Sequence, residues 1–385
     1  MSELKKYKLG ELGSFFGGVT SIKKEDYGHG TPFLPYKNVY KNSKVNINEL
    51  ELMNVRPLDL DRRSAIYGDI FFTASSETPD EVAMSSVLLD EVENLTFNGF
   101  CKRFRLKNFN TLLPEYARYL FRDISFRNEV YQRATGDIRF NISQESLANI
   151  EIEIPDIEPQ KEIADILSSL DDKIEINIQM NETFEIMAQA IYKEWFVDFK
   201  FPDFDGILID GLPKGWKIGR VDELFILQRG FDLPTNQRIE GEYPVIAASG
   251  KSTYHYEYKV KGPGVTTGRS GVLGNVFYIM EDFWPLNTSL FIKEYKNSTP
   301  LFSYFKLKSL NLFQLNGGSA VPTLNRNDVH GLETIIPDLK IIQEFEKITF
   351  SLFTKIQENN NQIQSLIQTR DILIPKLING KIEFV

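Results

Sequence analysis

The chain nearly repeats itself, and the repeat restricts its fold more than any other feature. Residues 156–191 align without a gap on residues 338–373 at a constant offset of 182. Pro155-Asp156 matches Pro337-Asp338, and Ile163, Leu170, Ile174, Asn177, Phe184 and Ile191 match Phe345, Leu352, Ile356, Asn359, Leu366 and Leu373. Earlier in each half a second register appears at offset 212, pairing Leu9-Gly10-Glu11-Leu12 with Val221-Asp222-Glu223-Leu224, Gly18 with Gly230 and Pro32 with Pro244. The interior of the second half is therefore 30 residues shorter. A duplication that keeps its frame and lets its contents drift implies two similar units facing two different tasks.

A chain of 385 residues exceeds what one hydrophobic core usually serves, so two globular domains with connecting elements are expected. With 42% hydrophobic and 25% charged residues the chain should fold. Cys101 is the only cysteine, which excludes an internal disulfide and fits a reducing compartment. The N-terminus is polar and lysine-bearing, and no stretch nears the ~18 apolar residues of a membrane span. A cytoplasmic location with no membrane contact is the expectation. The formal charge of -9 is concentrated: residues 156–200 carry 4 basic and 11 acidic side chains, whereas the remaining blocks are close to neutral. Attraction to a polyanion would be modest for this chain alone, and a tight, salt-resistant complex would need a more basic partner.

Four segments follow: 1–155, 156–200, 201–337 and 338–385. The first is mixed and rich in short strands, with apolar runs at Phe33-Leu34-Pro35-Tyr36, Asp69-Ile70-Phe71-Phe72 and Phe100 to Leu106. Tyr116, Tyr119, Leu120 and Phe126 predict one helix from Leu113 to Tyr131. The alternating run Ile150 to Ile154 before Pro155 predicts a strand leaving the domain.

From Ile163 the period changes. Positions 163, 167, 170, 174, 177, 181, 184, 188 and 191 form a 4-3-4-3 seam, interrupted by Asn177 and Asn181 and repeated in the last segment as Phe345, Thr349, Leu352, Ile356, Asn359, Ile363, Leu366, Arg370 and Leu373. About 36 residues give a helix of ~54 Å. Two such helices in one chain most simply pair, and a seam asparagine fixes register at a cost in stability. Two long core helices of a larger α domain is the plainer alternative. The third segment follows Phe201-Pro202-Asp203-Phe204-Asp205-Gly206 and carries dense glycines, Gly262-Pro263-Gly264, Thr267-Gly268-Arg269-Ser270-Gly271 and Gly274, as tight turns between short strands require.

Enzyme signatures are missing. Gly250-Lys251-Ser252 resembles the end of a phosphate-binding loop, but Val245 stands where the leading glycine should be. His29, His255 and His330 have no metal-ligand spacing. Gly268-Arg269-Ser270-Gly271 has its second glycine one place too early for a nucleophile elbow. No catalytic residue, metal site or cofactor site is assigned to this chain.

Recognition remains. The stretch Arg133-Ala134-Thr135-Gly136-Asp137-Ile138-Arg139-Phe140-Asn141 sets two arginines and an amide around a glycine, suited to phosphate or base-edge contact, and residues 317–326, ending in Asn325-Arg326, are its repeat partner. A plain surface turn fits these loops equally well. Lys102-Arg103-Phe104-Arg105 places Arg103 and Arg105 on one strand face, as a basic readout face or as a half-exposed strand with solvated charges. Arg269 and Lys251 are donors suited to guanine. Thr20, Lys37 and Asn38 in the first half, and Arg229 and Asn287 in the second, complete the candidate DNA contacts with Arg133, Arg139, Asn141 and Arg326.

The order of variable block, heptad helix, variable block, heptad helix resembles the specificity subunits of type I restriction-modification systems. Tyr192-Lys193-Glu194-Trp195-Phe196-Val197-Asp198-Phe199 looks like the motif that closes the first helical region in that family. Phe16-Gly17-Gly18-Val19-Thr20 with Pro32-Phe33-Leu34-Pro35, Gly268 to Val276, and Gly317-Gly318 to Leu324 before Ile335-Ile336-Pro337 are further matches. Thr73-Ala74-Ser75-Ser76 departs from the pattern, standing where an arginine-glycine turn like Arg269-Ser270-Gly271 is expected. The resemblance implies an α+β chain of two pseudo-repeated α/β target recognition domains joined by two long antiparallel coiled-coil helices. It implies a non-catalytic subunit that reads a bipartite, asymmetric site in double-stranded DNA. Two modification subunits carrying S-adenosylmethionine would methylate adenine, and a restriction subunit using ATP and Mg would join them. Leu170, Ile174, Asn177, Phe184, Trp195, Phe196, Leu352, Ile356, Asn359 and Leu366 are then the expected interface positions. A decoy subunit that binds its partners without directing them to DNA is the competing reading.

Overall fold

The strand predicted to leave the first block pairs with the start of the chain. Lys5–Lys8 lies antiparallel to Glu151–Ile154, with Lys5 opposite Ile154. The second half repeats the arrangement with Lys217–Arg220 and Glu333–Ile336, Lys217 opposite Ile336. Those partners are separated from their counterparts by 212 and 182 residues, the two offsets of the sequence repeat. This is a computed structural model, and it describes residues 4–20, 22–317 and 322–381. The predicted loop positions Gly318 to Val321 lie outside the described residues.

The chain divides into two compact units, residues 1–175 with 363–385, and residues 176–362. Each unit is built on the same plan. A four-stranded sheet takes its strands in the order Gly13–Gly17, Cys101–Leu106, Ile70–Thr73, Ser85–Val87 in the first unit, and Phe225–Arg229, Ser289–Tyr295, Gly264–Gly268, Val276–Ile279 in the second. A short helix precedes each edge strand, Leu9–Leu12 and Val221–Leu224. Glu11 and Glu223 reach back to accept from the backbone N–H of Lys8 and Arg220, which satisfies a donor the helix leaves over.

The one helix expected from Leu113 to Tyr131 is two, Pro114–Leu120 and Ile124–Arg133. Asp123 breaks the run: its carboxylate accepts from the Ser125 N–H and so starts a new helix. In the second unit a helix the sequence reading passed over, Pro300–Ser309, buries Leu301, Phe302, Tyr304, Phe305 and Leu307 against the sheet.

The heptad seams become two 40-residue helices, Ile157–Phe196 and Leu339–Ile378. In the first unit Ile163 and Leu167 join Leu377 and Ile378 in a core with Phe72, Phe104, Tyr116 and Phe121. Asp171 lies between Arg118 at 2.5 Å and Arg370 at 2.7 Å, and also accepts from the Tyr119 hydroxyl. In the second unit the helical segments run antiparallel through a polar layer. Asn177 donates to Gln362 at 2.7 Å, Asn181 to Asn360 at 2.9 Å and Asn359 to Asn181 at 2.9 Å. Asn181 and Asn359 pair within the seam and Asn177 is buried, so a shifted pairing would leave a buried amide unsatisfied, which specifies the register. Among the described residues no helix is long and apolar enough to cross a membrane.

Candidate nucleic-acid interface

In both units one corner of the four-stranded sheet meets the loop that the sequence nominated for recognition. In the second unit the Arg269 N–H donates to Thr288 O and the Leu324 N–H to Arg269 O, and Ser270 bridges to Thr323. In the first unit the Ala74 N–H donates to Phe100 O and the Ile142 N–H to Ala74 O, while Ser75–Ser76 pairs with Phe140–Asn141. The backbone frame is the same, and its side chains differ. The turn without an arginine is thus the structural counterpart of the turn with one.

The second corner is basic. Arg269 donates through Nε to Asn287 O at 2.9 Å, Asn287 donates through Nδ2 to Asp232, and Arg229 stands 3.8 Å from the same Asp232. Burial and the neighbouring Arg229 lower the pKa of Arg269 from its ordinary value, with Asp232 opposing. Three predicted residues, Arg229, Arg269 and Asn287, therefore come together although 58 positions separate the outer two. Lys251 is exposed but its ammonium rests 4.3 Å from the centre of the Tyr254 ring. It opens the strand Gly250–His255 rather than a phosphate loop. Arg326 is exposed on the short helix Arg326–His330.

In the first unit Thr20, Lys37, Arg139 and Asn141 are exposed, and Lys102 is half-buried. The loop of Arg139 is closed by reciprocal backbone bonds between Thr135 and Asn141. Gly136 turns it at φ 137, where an added Cβ would stand 2.0 Å from the Arg139 carbonyl, so only glycine fits. Ile138 at its tip is 89% exposed. Arg133 pairs instead with Glu129 one helical turn back.

Three expectations need correction. Arg103 is 2% exposed: its guanidinium lies 4.6 Å from the centre of the Phe16 ring and donates to Ser64 O. Burial lowers its pKa to about 10. Arg105 beside it grips Asp69 with two bonds of 2.8 and 2.6 Å, which raises its pKa. The strand Cys101–Leu106 is central in its sheet, so Arg103 is enclosed and the half-buried Arg105 is committed to Asp69, and the two do not form a shared basic readout face. Asn38 is likewise 1% exposed, exchanging bonds of 2.8 and 3.1 Å with the backbone of Asn46.

The expected interface positions divide by burial. Ile174, Asn177, Trp195 and Phe196 are buried, and Leu170, Phe184, Leu352, Ile356, Asn359 and Leu366 are half-buried within the chain. Trp195 and Phe196 lie against Phe345 at 6.2 and 5.3 Å between ring centres, and Phe196 stacks on Trp216. Packing of this kind leaves Trp195 and Phe196 no surface for a partner. The apolar side chains that the helices turn outward are others, including Ile176, Met180, Ile186 and Met187.

Sequence reasoning missed a cavity of about 350 Å³ at the first corner, lined by Tyr36, Tyr40, Glu81, Phe100 and Arg139 among others. No sequence signal announces it, because its walls come from segments as far apart as Tyr36 and Arg139.

The chain matches the family model described as type I restriction modification DNA specificity domain twice, over residues 1–185 and 213–369. It is 25% identical to the type I restriction enzyme MjaIX specificity subunit of Methanocaldococcus jannaschii, over 97% of this chain and 92% of that one. It is 24% identical to the HindI specificity subunit of Haemophilus influenzae, over 99% and 100%. The crystal structure of the type I restriction-modification S subunit from M. genitalium shares the fold, with a TM-score of 0.63 at 18% identity over 98% and 96% of the two chains. A repeated frame with differing corners and a twofold match covering most of the sequence place this chain in the family of type I restriction-modification specificity subunits.

Proposed function

We propose that the chain is the DNA-reading subunit of a type I restriction-modification complex, and that each unit reads one half of a bipartite, asymmetric site. The observation that carries this reading is the pair of equivalent corners, held by the same backbone hydrogen bonds yet lined by Ala74-Ser75-Ser76 in one unit and Arg269-Ser270-Gly271 in the other. Equal frames with unequal side chains suit unequal half-sites. On this reading the chain performs no chemistry and works in the cytoplasm. Adenine methylation belongs to two modification subunits that bind S-adenosylmethionine, and cleavage to a restriction subunit that uses ATP and Mg. The outward Ile176, Met180, Ile186 and Met187, on an acidic helix, suit a protein partner better than phosphate.

The test is single-molecule sequencing of genomic DNA for N6-methyladenine in a host with the gene intact and deleted. Loss of one bipartite motif on deletion is the expected result. An unchanged methylation pattern, in a host that expresses the modification subunit, would sink the reading and favour the decoy.

A further inference from the structure

The cavity at the first corner has a defined polar floor. Tyr36 and Tyr40, one turn apart on the helix Tyr36–Lys41, hold their rings nearly parallel at 13° and 6.3 Å. The Tyr36 hydroxyl donates to Ser75 O at 2.7 Å. The Tyr40 hydroxyl donates to Glu81 Oε1 at 2.6 Å, and Ser76 Oγ to Glu81 Oε2 at 3.0 Å. Hydrogen bonds from Tyr40, Ser76 and Thr78 hold the Glu81 carboxyl below its usual range, so it is ionised and only accepts. A carboxylate offers about four acceptor positions, and these donors use at most three. Phe100, 61% exposed, and Arg139 complete the lining.

This lining selects its ligand. Glu77 and Glu81 repel a phosphate from the floor, and Arg139 disfavours a free cation. What fits is a neutral, flat group that donates a hydrogen bond and has an anion beside it. A nucleobase bearing an amino group, within a phosphodiester strand, meets all three requirements.

We propose that Glu81 determines specificity in the half-site read by the first unit, by accepting a hydrogen bond from the exocyclic amino group of cytosine or adenine. Tyr36, Tyr40 and Phe100 supply the aromatic wall, and Arg139 faces the adjoining phosphate. Thymine and guanine present keto oxygens at the corresponding positions, and an ionised carboxylate repels them. The proposal rests on the DNA-reading role given above.

The test uses the complete complex of this chain with its modification subunits. Each cytosine or adenine of the first half-site is replaced in turn by 2-pyrimidinone or purine, which lack the amino group, and binding is measured by competition. The expected result is a loss of about tenfold at one position. Glu81→Gln, whose amide both donates and accepts, should abolish that discrimination and admit a keto base there, leaving discrimination in the second half-site as it was. If no amino group in the first half-site matters to the wild-type complex, the proposal is overturned whether or not the variant folds. Wild-type discrimination retained by Glu81→Gln, or equal losses in both half-sites, overturns it too. Failure of the wild-type complex to distinguish its site from unrelated duplex would instead remove the DNA-reading role itself.

Discussion

Between the Phe16 and Phe97 rings, at 4.6 and 5.7 Å from their centres, the Arg103 guanidinium acts as a packing element. A buried, ring-stacked arginine contributes through its stem and its flat face as much as through charge. Arg103→Ala is therefore expected to lower stability by about 2–3 kcal/mol in urea unfolding, without altering base preference once folded. Arg269→Ala and Arg139→Ala should do the reverse, keeping the melting temperature within a degree or two and weakening one half-site each, that of the second unit for Arg269. Equal effects on both half-sites in a binding competition would refute those two assignments. Sequence gives Arg103, Arg139 and Arg269 the same standing. They differ because Arg103 sits on a central strand, while the others occupy loops where strands end.

Elements are held by a few polar contacts placed where apolar packing alone would leave register open. In the first unit Asp171 neutralises Arg118 and Arg370 with little solvent to help. Asp171→Asn leaves the enclosed Arg118 without a carboxylate and Arg370 with only the exposed Asp371, and should cost about 3 kcal/mol, measured by denaturant unfolding. In the second unit His330 accepts the Leu227 N–H through Nε2 at 2.8 Å, tying the helix Arg326–His330 to the edge strand Phe225–Arg229. Burial lowers the pKa of His330 from its ordinary 6.5, with Asp222 opposing. The unfolded chain then binds the proton more readily, so this stabilisation is complete above about pH 6.5 and is lost as pH falls below that value toward the folded pKa. Melting of the wild type should show that decline, and His330→Gln should flatten it. Asn177 and Asn359 lie in a polar layer that favours one register over raw stability. Replacing both with isoleucine should change assembly in sedimentation and leave base preference alone.

For the whole molecule the governing quantity is charge. A chain of net charge -9 has little long-range attraction for DNA, and most of its negative excess lies in residues 156–200, which include the first long helix. A retarded band in an electrophoretic shift is expected only when modification subunits are present, and should fade steeply as salt rises. Tight binding by the isolated chain at physiological salt would contradict this.

The repeat, the two long helices and the flanking strands were legible in the sequence because local periodicity fixes them: a 4-3-4-3 seam can bury its apolar face only as a helix, and an alternating run ending at proline only as a strand. The split at Asp123 and the helix Pro300–Ser309 were less legible, since capping and burial there depend on neighbours. The corners were half legible, with Arg269, Arg139 and their loops visible but their equivalence in space not. What only tertiary structure decided is which polar side chains face water. Arg103 and Asn38 were drawn inward by Ser64, Phe97 and Asn46. The floor and walls around Glu81 were assembled from Tyr36, Tyr40, Ser76, Phe100 and Arg139, residues that only the fold brings within reach of one another.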